Sequence, residues 1–267
     1  MVSTESIEVS ENVEKLIIVS DLHGLVEPLE TMDDILGQIS ENVQVVAAGD
    51  YFVNGPCPAE VLDWVRANAG DYAILGNHDE AAIASTGDNL ALYTESGAFS
   101  CLDAGQRDYL TNLPNILELS WRGARIRIAH HFTPCGEILS YKARVGETFE
   151  MFADSTVDLT VCAHTHYPFL CERDGAWVAN TGALNHLVVG HMRSDGGIDP
   201  KGEDEVVKPL TEMYSTYLSI VAPDGVLQPT IERFTYDMDK ALGRLEKMEH
   251  PNLENVSTMF RTGICWV

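Results

Sequence analysis

Residues 72–81 read YAILGNHDEA. A short apolar run, Tyr72 to Leu75, meets Gly76, and behind the glycine stand Asn77, His78, Asp79 and Glu80. An apolar run of that length bounded by a turn residue reads as a buried strand. Two earlier segments repeat the arrangement. KLIIVS (15–20) is followed by DLHG, with Asp21, His23 and Gly24, and VQVVAA (43–48) is followed by Gly49 and Asp50. Between the first two runs, LVEPLETMDDILGQIS has apolar residues at 29, 32, 36 and 39, a helical period. PAEVLDWVRANAG then opens on a proline suited to a first helical turn and closes on a glycine suited to a C-cap. Strand–helix–strand–helix–strand order predicts a parallel sheet. Ligands bind such sheets beyond the carboxyl ends of the strands.

Downstream, residues 79–112 read as helical up to Pro114, and ILELSWRGARIRIAH as a hairpin turning at Arg122-Gly123. Residues 136–154 read as helical, DLTVCA (158–163) as a strand, and PFLCER and AWVAN as strands joined across Asp174-Gly175. Residues 193–209 read as a charged Gly/Pro loop, TYLSIVAPDGVLQPTIERFTY as a second hairpin, and DMDKALGRLEKME as a last helix. No repeat or linker divides the chain, so one α/β domain over 1–267 is expected, with a parallel half and an antiparallel-rich half.

The second half brings more ligating side chains to strand ends. RIRIA runs into His130-His131, and DLTVCA into His164-Thr165-His166. On extended chain, residues two apart point the same way, which would set His164 beside His166 and Asp21 beside His23. Imidazole with carboxylate and no thiolate suits Mn, Fe, Zn, Co or Ni better than Mg or Ca. Asp21, His23, Asp50, Asn77, His130, His164 and His166 are too many protein ligands for one ion with an open position. They suit two ions sharing one carboxylate, a pair that can clamp both oxygens of a phosphoryl displacement.

The formal net charge is −24, from 41 acidic and 17 basic residues. Bulk repulsion disfavours a nucleic-acid groove or an anionic membrane surface as partner. It also leaves metal ions as the natural local positive charge for a phosphorylated ligand. No apolar run approaches the roughly 20 residues that span a bilayer. The acidic, polar start MVSTESIEVSENVEKL lacks the regions of a signal peptide, so a cytoplasmic location is expected. The six cysteines form no Cys-x-x-Cys pair and read as buried free thiols.

Asp-x-His at 21–23, Gly-Asp at 49–50, Gly-Asn-His-Asp at 76–79, a histidine after a strand at 130 and His-x-His at 164–166 resemble, in that order, the calcineurin-like metallophosphoesterase superfamily. The tail RFTYDMDKAL is similar to the closing strand and helix of its small bacterial and archaeal phosphodiesterase-like members. The resemblance implies a central mixed β-sandwich flanked by helices. It implies a dinuclear phosphoesterase that hydrolyses a phosphomonoester or phosphodiester of a small, possibly nucleotide, substrate through a metal-bridging hydroxide. One divalent ion, manganese in the first instance, would take Asp21, His23, Asp50 and His166. The other would take Asp50, Asn77, His130 and His164. His78 would serve the leaving oxygen, with Asp79 orienting it.

Three departures from the family pattern stand out: His131 where a glycine is usual, Ala163 for another glycine, and Asn180-Thr181-Gly182-Ala183 for Asn-Pro-Gly-Ser. His130, directly after the strand, is favoured over His131 as the ligand. A non-catalytic metal-binding scaffold of the same fold is the alternative. A serine/threonine protein phosphatase is disfavoured, because GDYFVNG lacks the phosphate-gripping arginine of that group. His186, His191 and His250 match no motif and read as structural, and Trp64, Trp121 and Trp177 as core.

Overall fold

The computed structural model describes residues 2–203, 210 and 212–266. Its first half runs β1 (Thr4–Glu8), β2 (Lys15–Val19), α1 (Glu27–Gln38), β3 (Val43–Ala47), α2 (Pro58–Asn68), α3 (Asn77–Ala84), α4 (Glu95–Cys101) and α5 (Ala104–Asn112). There follow β4 (Ile116–Trp121), β5 (Ala124–Ala129), α6 (Val145–Phe152), β6 (Leu159–Cys162), β7 (Phe169–Arg173), β8 (Ala176–Asn180), β9 (Gly190–Met192) and β10 (Ile198–Pro200). The chain closes with β11 (Ser215–Val221), β12 (Gln228–Phe234), α7 (Met238–Lys247), α8 (Leu253–Thr262) and β13 (Ile264–Trp266).

Two sheets form a sandwich. One has the order β12-β11-β2-β3, with β2 and β3 parallel. The other has the order β1-β4-β5-β6-β8-β7, with β5, β6 and β8 parallel. Strand alternation decides what each face meets. On β2, Leu16 and Ile18 pack with Leu117, Leu119, Ile126 and Val161 of the facing sheet, while Ile17 and Val19 pack with Met32, Val61 and Val65 of the helices outside. Burial on both faces is why KLIIV is a continuous apolar run rather than an alternating one. On the far side, Phe149 and Phe152 of α6 cover Ile116, Ala129 and Val178. The layers are therefore helix, sheet, sheet, helix. β2 and β3 in one sheet and β5 and β6 in the other end at a common rim.

The structure departs from the sequence expectations in several places. The run 72–75 makes only one parallel bridge, Ala47 to Ala73. The Leu75 N–H already turns away to the Pro114 carbonyl, so the strand stops where the GNHD helix begins. Residues 79–112 form three helices, not one. Thr94 and Asp103 restart the chain as N-caps, their side chains accepting from Gly97 and Gln106 N–H. In 136–154 only Val145–Phe152 is helical. The polar start contains an edge strand, β1, parallel to β4 and mostly exposed. The loop expected at 193–209 contains β10, paired with β9, and its remainder at 204–209 lies outside the described residues. Trp177 is 38% exposed on the outward face of β8, so it is not core. The last 18 residues, past the final helix expected, carry α8 and β13.

Candidate metal centre

The loops that follow β2 and β3 lie against each other. Asp21 N–H donates to the Gly49 carbonyl, Leu22 and His23 N–H to that of Asp50, and Gly24 N–H to that of Tyr51. Their approach needs glycine. A Cβ on Gly49, at φ +88°, would lie 2.5 Å from Gly76 N, and one on Gly76 would lie 2.2 Å from the Asp50 carboxylate.

The extended geometry expected for Asp-x-His and His-x-His does not occur. Asp21 (φ 55°), His23 (48°), Asp50 (58°), His164 (68°) and His166 (57°) are all left-handed. Asp and His tolerate that region better than most residues, yet each such conformation persists only where its surroundings over-determine it. Here the surroundings are explicit. Asp79 is fully buried; its carboxylate accepts from Asp50 N–H (2.8 Å), Tyr51 N–H (2.9 Å) and Gly76 N–H (2.9 Å). Asn180, also buried, donates to the Ala163 carbonyl at 2.7 Å and to Thr165 Oγ1 at 3.2 Å, fixing the His164–His166 loop. The Asn180–Ala183 turn that departs from the family pattern is thus a buried brace.

Held this way, six of the seven expected ligands converge in two groups, Asp21–His23–His166 and Asp50–His130–His164, with donor atoms within 4.8 Å of one another. The seventh, Asn77, opens α3 on the same cleft, and its Oδ1 is buried without a partner. Of His130 and His131, only the first stands in a donor group. His130 Nε2 lies 3.1 Å from Asp50 Oδ2, whereas His131 Nε2 lies 3.3 Å from Glu80 and its ring joins neither group.

Three imidazoles are oriented from behind. The Nδ1 atoms of His23, His130 and His166 lie 3.0, 2.8 and 3.1 Å from the carbonyls of Phe52, Ala48 and His186. A carbonyl only accepts, so each Nδ1 carries the proton and each Nε2 offers a lone pair to the cleft. His23 Nε2 and His166 Nε2 are 3.2 Å apart, and His130 Nε2 and Asp21 Oδ1 are buried with no hydrogen-bond partner. Lone pairs facing one another in a buried site are stabilised by a cation between them, so these residues fit divalent metal ions.

The charges agree. Burial alone would raise the Asp21 and Asp50 carboxyls, but the surrounding histidines hold both well below the usual carboxylate range. Burial works against a charged His130 ring, yet Asp50 and Asp21 outweigh it and push that ring up to about 10. The pocket therefore favours positive charge between its carboxylates.

His78 differs from the buried ligands. Its side chain is 31% exposed, its N–H donates to Asp50 Oδ1 (2.9 Å), and its Nδ1 lies 3.3 Å from Glu95. It is also within reach of His23 and Asp50 in a third donor group. Burial disfavours its charged form, but Asp50 and Glu95 raise its pKa overall. The carboxylate that touches the His78 ring is that of Glu95. Asp79, expected to orient His78, spends its oxygens on backbone N–H groups instead.

The cleft measures about 350 Å³, and its other wall comes from the chain end, including His250, Asn252, Asn255 and Met259. His186, expected to be structural, also lines it. The ring is 2% exposed, 4.8 Å from that of His166 and stacked on Phe260 at 4.7 Å. No motif marks these residues. The only sequence signal was their residue type.

Residues 15–193 match the calcineurin-like phosphoesterase superfamily domain. Among solved structures, the chain is similar to a metallophosphoesterase from Sphaerobacter thermophilus, with a TM-score of 0.67 and 22% identity over 94% of this chain and 100% of that one. It is also similar to a hypothetical protein from Pyrococcus horikoshii OT3, with a TM-score of 0.66 and 13% identity over 93% and 98% of the two chains. At these identities the likeness is one of fold. No curated protein sequence matches the chain.

Proposed function

The chain belongs to the calcineurin-like phosphoesterase superfamily, and from that premise we propose that it is a metal-dependent phosphoesterase with a dinuclear centre acting on a small phosphorylated substrate. The observation that carries this reading is the set of imidazole lone pairs, each fixed by a backbone carbonyl behind it, facing one another and two carboxylates in a buried site. Asp21, His23, Asp50 and His166 would hold one ion, and Asp50, Asn77, His130 and His164 the other. Asp50 suits the shared position because its Oδ2 lies 3.1 Å from His130 Nε2 and 3.9 Å from His23 Nε2, between the two groups. When bound, such ions supply Lewis acidity for the phosphoryl oxygens and lower the pKa of a water.

The remaining work falls to the chain. Asn77 offers a neutral oxygen, which limits the negative charge placed around an anionic substrate. His78 faces the cleft with a raised pKa and is assigned the proton for the leaving oxygen. Once a cation shares the charge of Asp50, Glu95 remains to keep the imidazole protonated and aligned. The absence of lysine and arginine from the cleft lining, among the described residues, makes the ions the principal source of positive charge there.

Chelator-stripped protein assayed on an aryl phosphate tests the reading. Activity should vanish and return with Mn²⁺, Fe²⁺, Co²⁺, Ni²⁺ or Zn²⁺. Full turnover with bound metal demonstrably absent would refute it.

A further inference from the structure

Beside the sandwich lies a small third sheet of order β10-β9-β13. Side chains from all three of its strands or their ends meet at one residue, Tyr141, in the segment between β5 and α6. His191 of β9 meets the Tyr141 ring edge-on at 5.1 Å. Cys265 of β13, the cross-strand neighbour of His191, lies beside the Tyr141 hydroxyl. Lys201, directly after β10, is fully buried. Its ammonium donates to the Tyr141 carbonyl and stands 4.5 Å from the centre of the Tyr141 ring. Among the described residues no carboxylate lies within ion-pair distance of it, and burial lowers its pKa to about 7. A buried ammonium without a counter-ion is costly. Here both of its contacts fix one tyrosine.

That tyrosine lines the cleft together with Asn77 and His78. Its ring is 5.6 Å from that of His164 and 5.6 Å from that of His166, edge-on to both. The two histidines belong to different donor groups, so Tyr141 borders both. Its phenol oxygen is near enough to Asp21 and Asp50 to feel both carboxylates, so the hydroxyl end of the ring faces the candidate metal centre. The Cys265 thiol beside it is a weak hydrogen-bond acceptor. An anionic oxygen in the cleft outcompetes that thiol, because a charge-assisted hydrogen bond is about twice as strong as a neutral one.

We propose that the Tyr141 hydroxyl is a further catalytic residue, donating a hydrogen bond to a non-bridging phosphoryl oxygen in the transition state, and that Lys201 positions it. This rests on the phosphoesterase reading above. The phenol keeps its proton throughout; His78 serves the leaving oxygen and Tyr141 the phosphoryl oxygen. Among the described residues the cleft lining holds no lysine or arginine, so a fixed neutral donor is what the chain itself brings to that charge.

Tyr141→Phe keeps the ring and isolates the hydroxyl. In the metal-loaded full-length variant kcat should fall about 10²-fold, the effect of losing one donor to a developing charge, with KM little changed and metal content as in wild type. The loss should be equal on an alkyl and a nitrophenyl ester, because a bond to the phosphoryl oxygen does not depend on what leaves. Titration calorimetry gives a readout apart from turnover: orthovanadate, which can adopt the five-coordinate geometry of the transition state, should bind the variant about 10-fold more weakly. Lys201→Met, similar in length and uncharged, should lower kcat about 10-fold by loosening the ring. The double variant should then be no slower than Tyr141→Phe alone, whereas a lysine needed only for stability would add its own loss. Unchanged kcat or vanadate affinity in Tyr141→Phe, a drop in its metal content, or a loss confined to the alkyl ester would overturn the catalytic role. Additive losses in the double variant would overturn the positioning role. Metal-loaded wild-type protein that hydrolyses neither ester would instead remove the phosphoesterase reading, and the proposal with it.

Discussion

The wall of the cleft that carries the candidate metal ligands is delivered by five short loops between residues 21 and 166, each directly after a strand or opening a helix. The opposite wall comes from residues 250–265, where one helix and one strand present scattered polar side chains. On the first wall the backbone is forced: left-handed Asp and His residues are zipped loop to loop and braced by buried Asp79 and Asn180. On the second the side chains act from regular helix, and the pocket depends on α8 docking through Phe260. The contrast is between a rim held by strained, cross-braced loops and a wall held by the packing of one helix.

Removing the shared carboxylate breaks the contrast at its strongest point. Asp50→Ala should lower kcat/KM by about 10⁴-fold or more, on the order of 5 kcal/mol of barrier, because both ions lose a ligand. Metal analysis of the variant should show the loss directly.

His78→Ala should separate chemistry from metal binding on the same wall. A general acid contributes about 10²–10⁴-fold, so kcat should fall by that factor on an alkyl ester while metal content stays near wild type. With nitrophenolate as leaving group, which departs without a proton, the loss should be much smaller. Loss of metal, or equal losses on both esters, would make His78 a ligand or a positioning residue.

On the other wall, Phe260→Ala should cost about 3–5 kcal/mol of stability, lowering Tm by on the order of 10 °C. Metal content should be unchanged, with KM raised. A variant that lost metal as well would show that the two walls are one cooperative unit.

The smallest expected effect is that of Asp79→Asn, which replaces an acceptor of three N–H bonds by a group that brings its own donor. Stability should drop by about 1–3 kcal/mol, read by thermal denaturation. Activity should fall only as far as the Asp50 loop loosens. A loss on the scale of His78→Ala at unchanged stability would return a direct catalytic role to Asp79.

Legibility followed the same divide. Asp21, His23, Asp50, Asn77, His130, His164 and His166 were readable because short motifs directly after apolar strands survive any rearrangement of the rest of the chain. Their left-handed backbone was not, since period-two reasoning holds only while the chain stays extended. Asp79 was expected against His78 and instead holds backbone N–H groups, because hydrogen bonds to backbone at positions 50 and 51 depend on loops meeting in space. Glu95 was invisible for the same reason: seventeen residues separate it from the imidazole it touches. His186, His250 and α8 carry no motif, and they join the cleft only when the chain end folds back over the candidate metal ligands. The mostly exposed edge strand β1 was hidden because its polar sequence buries too little to show a period.

If the converging lone pairs hold two ions that share Asp50, the protein binds a defined number of metals. Metal stoichiometry of the wild-type protein, equilibrated with Mn²⁺ and freed of excess, tests it most directly. Two ions per chain are expected; a firm ceiling of one, or none, would rule out the shared carboxylate.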